Sequence, residues 1–293
     1  MKKSGIGFIG LGIMGGSMVE NLQNKGYELT VYDRNPKAAQ PSVDRGAVLA
    51  KSVKELAEKS DIIMLCVTTS KIVESLIYAE DGILSGIKKS SIVIDYGTSL
   101  PASTRKIGAD LAKKGVGMID AALGRTPTHA KKGLLNIMGA GDLDTFKKVR
   151  PILEDQAENI FHLGALGAGH TAKSINNFMG MTTVCAMSQA FAIATLAGVD
   201  RQQLFDIMST GPSNSPFMHF CKNYAVDGKS NLDFSIVNAN KDLDYYLKMV
   251  QDFDVETQIA EGTFANLKGA LAEGMGDRDV PEIYDYFLKL KKE

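Results

Sequence analysis

The sequence lacks the features that mark several large classes of protein. Its three cysteines, Cys66, Cys185 and Cys221, are odd in number and far apart, so a disulfide framework is not expected. The four histidines show no metal-ligand spacing, and no uninterrupted apolar run approaches the roughly 18 residues of a membrane span. No basic run is present, and the net charge of −1 adds no attraction to polyanions. We therefore expect a cytoplasmic, metal-free protein that binds neither nucleic acid nor membrane.

The chain has enough apolar residues for one large domain or two ordinary ones. Of its 293 residues, 44% are apolar and 23% are charged, as in globular proteins with a full core. Up to residue 163, short β-branched segments alternate with helical patterns, which predicts a mainly parallel sheet with helices on both faces. We assign residues 1–163 to an α/β domain of Rossmann type and residues 164–293 to an all-helical domain.

The start of the second domain is predicted to be one unusually long helix. Between residues 168 and 197 there is no proline, and Gly180 is the main residue that would disfavour a helix. Thirty residues of helix would extend about 45 Å, well beyond the usual length. We expect this segment to be an inter-domain helix.

A glycine cluster after the first predicted strand indicates a dinucleotide-binding loop. Gly10 permits a tight turn, Gly12 allows the backbone to approach a pyrophosphate, and Gly15 allows close packing of helix on strand. The N–H groups at the start of the following helix would bind the phosphates. A purely structural glycine turn is the alternative. The predicted cofactor-binding residues of this loop are Gly10, Leu11, Gly12, Ile13, Met14 and Gly15.

The end of the second predicted strand bears on the choice of cofactor. Asp33 lies about 20 residues beyond the glycines, where a carboxylate accepts hydrogen bonds from the adenosine ribose and repels a 2′-phosphate. The adjacent Arg34 could instead pair with that phosphate, or lie in solvent. We expect NAD, with NADH preferred and NADP as the alternative.

One face of the long helix carries a candidate catalytic group. Lys173, Asn176, Asn177 and Gly180 have the spacing i, i+3, i+4 and i+7, and the segment after them is almost wholly apolar or small. A lysine in a cleft has its charged form disfavoured by desolvation, which suits acid–base chemistry. The alternative is that Lys173 extends to solvent and the asparagines bind backbone groups.

Five ordered segments together resemble the β-hydroxyacid dehydrogenase family, which includes 3-hydroxyisobutyrate dehydrogenase and tartronate semialdehyde reductase. The segments are GFIGLGIMG, DYGTSLP, DAALGRTPTHAKKGLLNIMGAG, GAGHTAKSINNFM and NKDL, and they extend over essentially the whole chain. The resemblance implies a Rossmann-type domain, a long inter-domain helix and a helical domain that forms a homodimer or homotetramer.

The resemblance also implies a role for Lys173 and its neighbours. Lys173 matches the family's catalytic lysine, which protonates the carbonyl oxygen during reduction or takes the proton during oxidation. Asn176 and Asn177 match asparagines that hold substrate oxygens and support the lysine.

Further positions match residues that contact the cofactor in the family. Thr98 would line the nicotinamide ribose, and Lys241 would reach the cofactor from the helical domain. Val67 and Thr68 replace a usual Leu-Pro pair whose role is played by backbone atoms, so that substitution is tolerable.

The chain departs from the family pattern in its substrate loop. Most members read Ser-Gly-Gly, where this chain has Gly124, Arg125 and Thr126, which adds a forked, permanently charged donor. The same variant is typical of the 3-sulfolactaldehyde reductase branch, where the arginine binds a sulfonate. That resemblance implies NADH-dependent reduction of 3-sulfolactaldehyde to 2,3-dihydroxypropane-1-sulfonate. Gly97 and Gly180 stand where a hydroxyl would be expected, which weakens this substrate assignment.

Other substrates and functions remain open at this point. A carboxylated substrate such as succinic semialdehyde, tartronate semialdehyde or 3-hydroxyisobutyrate would place Arg125 on a carboxylate. A non-catalytic dinucleotide-binding protein is a remoter alternative. An oxidative decarboxylase of the 6-phosphogluconate type is not expected, because the helical half is too short.

Overall fold

The computed structural model describes residues 5–290, and its first part contains a mixed sheet. The strand order is β3-β2-β1-β4-β5-β6-β7-β8. The strands are β1 (Ile6–Ile9), β2 (Leu29–Tyr32), β3 (Val48–Leu49), β4 (Ile62–Leu65), β5 (Ile92–Asp95), β6 (Gly117–Gly124), β7 (Leu135–Gly141) and β8 (Ala157–His162). Strands β1 to β6 are parallel, and β7 runs antiparallel to β6. The order of the first six strands is that of the Rossmann fold, as predicted.

Helices connect the strands and cover both faces of this sheet. They are α1 (Ile13–Asn24), α2 (Pro36–Asp44), α3 (Val53–Lys59), α4 (Ser70–Tyr78), α5 (Ile83–Gly86), α6 (Pro101–Ala112), α7 (Pro127–Lys131) and α8 (Leu143–Glu154). Successive strand residues enter different cores: Phe8 belongs to one hydrophobic cluster and Ile9 to another. Side chains alternate between the faces of a strand, so each face of the sheet has its own core.

The predicted long helix is continuous. It is α9 (Ala168–Leu196), and Gly180 does not interrupt it. By length and mean hydropathy alone this helix could cross a membrane. Its residues Met181, Val184 and Phe191 are nearly or fully buried in a helical core, whereas Met179, Ile193 and Leu196 are exposed.

The remaining helices form that core. They are α10 (Arg201–Ser209), α11 (Pro216–Ala225), α12 (Ile236–Val250), α13 (Gln258–Ala272) and α14 (Ile283–Lys289). The chain divides into two compact units, Met1–Lys173 and Ser174–Glu293, so the division falls within α9. The first unit contains the sheet and its helices, and the second contains the helical core.

Candidate functional site

The glycine-rich loop has the geometry that a dinucleotide fingerprint requires. Gly10 has a φ of 96°, and a Cβ there would lie 2.3 Å from the Cys66 carbonyl oxygen. A Cβ on Gly15 would lie 1.9 Å from the Gly10 carbonyl oxygen, so both positions exclude a side chain. At Gly12, the residue that caps α1, a Cβ would meet nothing within 4 Å. Protein packing therefore explains two of these glycines, whereas the third borders open space that fits a closely approaching pyrophosphate.

Asp33 holds this loop in position. Its Oδ2 accepts the Leu11 N–H at 2.7 Å, and its Oδ1 accepts the Asn35 N–H at 2.7 Å. Each carboxylate oxygen retains capacity for a further donor, as a ribose hydroxyl would require. Arg34 is exposed. The residues present thus fit an adenine dinucleotide.

The other predicted cofactor residues lie at the same edge of the sheet. Val67 and Thr68 follow β4, and Thr98 follows β5. Parallel strands present their carboxyl ends together, at the edge where ligands bind in open α/β sheets. At this edge, burial and the nearby Asp95 raise the pKa of the Cys66 thiol to about 12, so it is not a reactive nucleophile.

Arg125 follows β6 at this edge, in an unusual conformation. Its φ is 77°, in the left-handed region that favours glycine. The guanidinium crosses to the starts of the two last strands: Nη1 donates to the Leu134 carbonyl at 2.8 Å, and Nη2 lies 2.5 Å from Glu158 Oε2. In the sheet, β7 and β8 lie on the side of β6 that is farther from β1. The paired guanidinium is therefore directed away from the glycine-rich loop, which follows β1.

The residues on either side of Arg125 are held by local contacts. Gly124 pairs with Asn136 in the β6–β7 ladder. The Thr126 hydroxyl lies 2.8 Å from His129 Nδ1, so this hydroxyl has a partner within α7.

The first turn of α9 is fastened to the sheet by a buried carboxylate. Asp120 accepts the Gly167 N–H on one oxygen and the His170 N–H on the other, each at 2.8 Å. Asp120 and His170 are fully buried. This anchoring fixes the first turn of the helix at His170, three residues before Lys173, which is half-buried.

Further along α9, the two asparagines differ in their surroundings. Asn176 is exposed and donates to Asn177 Oδ1 at 3.3 Å. Asn177 is buried and donates to Asp242 Oδ2 at 2.6 Å, and Lys241 Nζ lies 2.8 Å from Asp242 Oδ1. A chain of polar contacts thus joins Asn176 to Lys241 through Asp242, and the amide of Asn177 is used within it.

Gly180 is the last predicted residue on this helix face, and it packs against an aromatic ring. A Cβ on Gly180 would lie 2.7 Å from the tip of the Phe217 ring. A serine side chain at this position would have to displace Phe217. The Phe217 ring therefore fills the space that a serine side chain would occupy at residue 180.

Sequence reasoning missed several residues that position these groups. Asp120 and His170 lie within segments that carried the family resemblance, and Asp242 lies beside Lys241, yet none has a spacing that would reveal its partner. Glu158 and Phe217 stand in segments without any motif. Their contacts depend on tertiary structure, so the chain gave no local signal for them.

Comparisons with known proteins agree with this architecture. Residues 5–164 match the family model described as the NAD binding domain of 6-phosphogluconate dehydrogenase, and residues 167–287 match the model of the NADP-dependent 3-hydroxyisobutyrate dehydrogenase NAD-binding domain. The 3-sulfolactaldehyde reductase of Escherichia coli (strain K12) is 29% identical over 275 residues, which are 94% of this chain and 92% of that protein.

Two further relatives extend the comparison. An NAD-dependent L-serine dehydrogenase from Pseudomonas aeruginosa is 35% identical over 203 residues, 69% of this chain and 68% of that protein. The solved structure of Mycobacterium tuberculosis 3-hydroxyisobutyrate dehydrogenase with L-serine has a TM-score of 0.88 at 26% identity, with 97% of this chain and 98% of that chain covered. Fold, glycine-rich loop and relatives agree: this chain belongs to the 3-hydroxyisobutyrate dehydrogenase family of NAD(P)-dependent oxidoreductases that act on CH–OH groups.

Proposed function

We propose that this protein is an NADH-dependent reductase of a short anionic aldehyde, and that 3-sulfolactaldehyde, reduced to 2,3-dihydroxypropane-1-sulfonate, is its substrate. The observation that carries the proposal is the conformation of Arg125. A non-glycine residue in the left-handed region costs about 1 kcal/mol or more. An arginine retained there at that cost supplies a forked cation at the edge where the substrate would bind.

The chemistry divides between the cofactor and a few side chains. NADH supplies the hydride when it is bound. The Lys173 ammonium donates a proton to the carbonyl oxygen and stabilises the negative charge that develops there. Asn176 orients that oxygen. Asn177 acts indirectly, through its hydrogen bonds to Asn176 and Asp242. Gly124, Arg125 and Thr126 bind the anionic end of the substrate.

The preference for NADH over NADPH rests on Asp33. Its carboxylate is fixed by two backbone N–H groups and would face the adenosine ribose as a negative charge. A 2′-phosphate would be repelled by it. The exposed Arg34 has room to bind such a phosphate, so NADPH should support turnover at lower efficiency.

A carboxylated aldehyde such as succinic semialdehyde is the second candidate. Two observations favour it: Gly97 provides no hydroxyl after β5, and Phe217 fills the space of a side chain at residue 180. Both reduce the number of donors available to a three-oxygen anion. The 35% identity to an L-serine dehydrogenase also favours a carboxylate.

A substrate panel tests the proposal directly. Short aldehydes of equal length that carry sulfonate, carboxylate or phosphate would be assayed with NADH and with NADPH. We expect the largest kcat/KM for the sulfonate with NADH, and a larger value for the carboxylate would select the second candidate.

A lysine variant tests the assignment of the acid. Lys173→Met should lower kcat by several orders of magnitude and leave NADH affinity nearly unchanged. Wild-type kcat in this variant would show that another group donates the proton. Tight NADH binding by the native protein without turnover of any panel member would overturn the proposed function itself.

A further inference from the structure

A buried acidic side chain of α12 lies against the two asparagines of the candidate face. Asp242 is 3% exposed, and its partner Asn177 on α9 is 8% exposed. Beside this pair, the rings of Phe178 and Tyr246 stack with their centroids 4.5 Å apart and join the same two helices. All of these residues, and Asn176, belong to the helical unit. The contacts between them therefore need no element of the sheet.

Lys241 contacts one oxygen of the Asp242 carboxyl group. Its Nζ is 2.8 Å from Asp242 Oδ1 and 5.2 Å from the centre of the Tyr245 ring. Within residues 5–290 this Oδ1 accepts no hydrogen bond, so the ammonium contacts it as a charge. The contact is an ion pair in which Asp242 is a carboxylate, and a carboxylate has no hydrogen to donate.

The other oxygen determines which end of the Asn177 amide faces Asp242. An amide has a donor nitrogen and an acceptor oxygen, and here Asn177 Nδ2 donates to Asp242 Oδ2 at 2.6 Å. The opposite orientation of the amide would place two acceptor oxygens at that distance, which is repulsive. Asn177 therefore has a single orientation in this contact.

The orientation of Asn177 in turn determines that of Asn176. Because its nitrogen faces Asp242, Asn177 turns its oxygen the other way, and Asn176 Nδ2 donates to that oxygen at 3.3 Å. Asn176 is exposed, so its own oxygen and its second N–H can meet a ligand on the helix face that carries Lys173. One carboxylate on α12 thus sets the direction of two amides in series.

We propose that Asp242 is a positioning residue, which fixes through Asn177 the atoms that Asn176 presents to the substrate. The inference deepens the proposed function and rests on it, since it takes from it the role of Asn176. If the two amides were reversed, nitrogen and oxygen of Asn176 would exchange places. A substrate matched to the native direction would then meet donor with donor and acceptor with acceptor.

Asp242→Asn should reverse the two amides. The asparagine introduced at position 242 would turn its oxygen to the Lys241 ammonium, so its nitrogen would face Asn177. Asn177 would then turn its oxygen to position 242 and its nitrogen to Asn176, which has to turn over as well. We expect kcat/KM to fall by about tenfold or more, the equivalent of one mismatched hydrogen bond to the substrate.

Exchange of the two side chains is the rescue test. In the double variant Asn177→Asp with Asp242→Asn, the aspartate at position 177 accepts from both neighbours, so Asn176 keeps its native direction. This variant should recover most of the kcat/KM lost in Asp242→Asn. Asp244→Asn is the matched control, because Asp244 lies on the same helix and pairs with Lys248 at 2.6 Å, and it should keep native kcat/KM. Native kinetics in Asp242→Asn, or no recovery in the double variant, would overturn the inference.

A measurement without substrate separates this inference from the proposed function. In ¹H–¹⁵N NMR spectra of the full-length protein, the Asn177 side-chain amide is identified by its loss in Asn177→Asp. One of its protons should lie downfield of ordinary side-chain amides, because it is bound to a carboxylate at 2.6 Å, and it should move upfield in Asp242→Asn. An ordinary Asn177 signal would overturn the inference even in an active reductase. The downfield signal in a protein that reduces no aldehyde would support the direction of the amides and overturn the proposed function alone.

Discussion

Replacing Glu158 with glutamine tests how Arg125 recognises an anion. In the structure the guanidinium is already paired with Glu158, so a substrate anion has to displace that carboxylate. The side chain of Arg125 is 29% exposed and that of Glu158 is 51% exposed. Solvent-exposed pairs of this kind contribute roughly 0.2–1 kcal/mol. Glu158→Gln should therefore lower KM for the anionic aldehyde by about 1.4- to fivefold, because this free energy is no longer lost on binding.

The kinetic pattern distinguishes competition from a general change of charge. The value of kcat should stay constant, since Glu158 is not placed at the reacting atoms, and an uncharged aldehyde of equal length should keep its KM. Glu154→Gln is the matched control, because Glu154 is 55% exposed and pairs with Arg150 on α8 at 2.8 Å. It removes the same charge from the same unit without touching Arg125.

Removal of the guanidinium should have the opposite effect. Arg125→Gly suits the left-handed backbone and deletes the charge, so it should raise KM for the anion by about 30-fold, the equivalent of about 2 kcal/mol for a charge-assisted hydrogen bond. If Arg125→Gly and Glu158→Gln both retained wild-type kinetics, the arginine would be a structural link between β6 and β8. The anion would then be held elsewhere.

Three further predictions concern local geometry and charge. Gly12→Ala should still fold, because its methyl group meets only open space, yet it should bind NADH more weakly, because the pyrophosphate needs that space. Calorimetric titration checks this against Gly262→Ala, where the space is also open. Gly180→Ser should destabilise the fold by about 1–3 kcal/mol through its contact with Phe217, and Phe217→Leu should restore the melting temperature. Hydrogen bonds from Tyr27 and then Lys25 lower the pKa of Asp155. The carboxylate therefore stabilises the fold above its unfolded pKa of about 4, and this stabilisation is lost as pH falls through the folded pKa. Asp155→Asn should lower Tm at neutral pH, and the difference in Tm between variant and native protein should close below about pH 4.

The regular strands and helices of this fold could be predicted from the sequence. Alternation of strand and helix predicted the parallel sheet, and the absence of proline predicted α9 to within about a residue of its observed end. Gly10 and Gly15 each face a carbonyl oxygen at a distance that excludes a side chain, as the predicted tight turn and close packing require, and their part in cofactor binding stays a prediction. The two-residue strand β3 was missed, because so short and exposed an edge has no periodicity to detect.

The side-chain contacts between elements could not be predicted from the sequence, and these contacts change the interpretation of the candidate residues. The sequence identified Arg125 as an unusual charge. It did not predict the pairing of Arg125 with Glu158, because that pairing requires β8 to lie beside β7. Asn177 could be placed on the face of Lys173, but not its bond to Asp242 on α12. Helical spacing fixes the direction of a side chain, and the neighbouring element determines whether its polar atoms are already used.

Two candidate cations of this enzyme, Arg125 and Lys241, are each paired with a carboxylate, which bears on how the enzyme selects an anion. Arg125 is paired with Glu158, and Lys241, which is predicted to contact the cofactor, is paired with Asp242. The guanidinium is thus already neutralised when it meets the substrate. With a net charge of −1, the protein has no bulk field that would draw an anion in. The substrate anion must then displace the Glu158 carboxylate from Arg125, and this exchange changes the local charge little. We therefore expect kcat/KM to vary only weakly with ionic strength in the native enzyme and more steeply in Glu158→Gln, where the guanidinium is uncompensated. Equal salt dependence in the two proteins would show that Glu158 does not compete with the substrate.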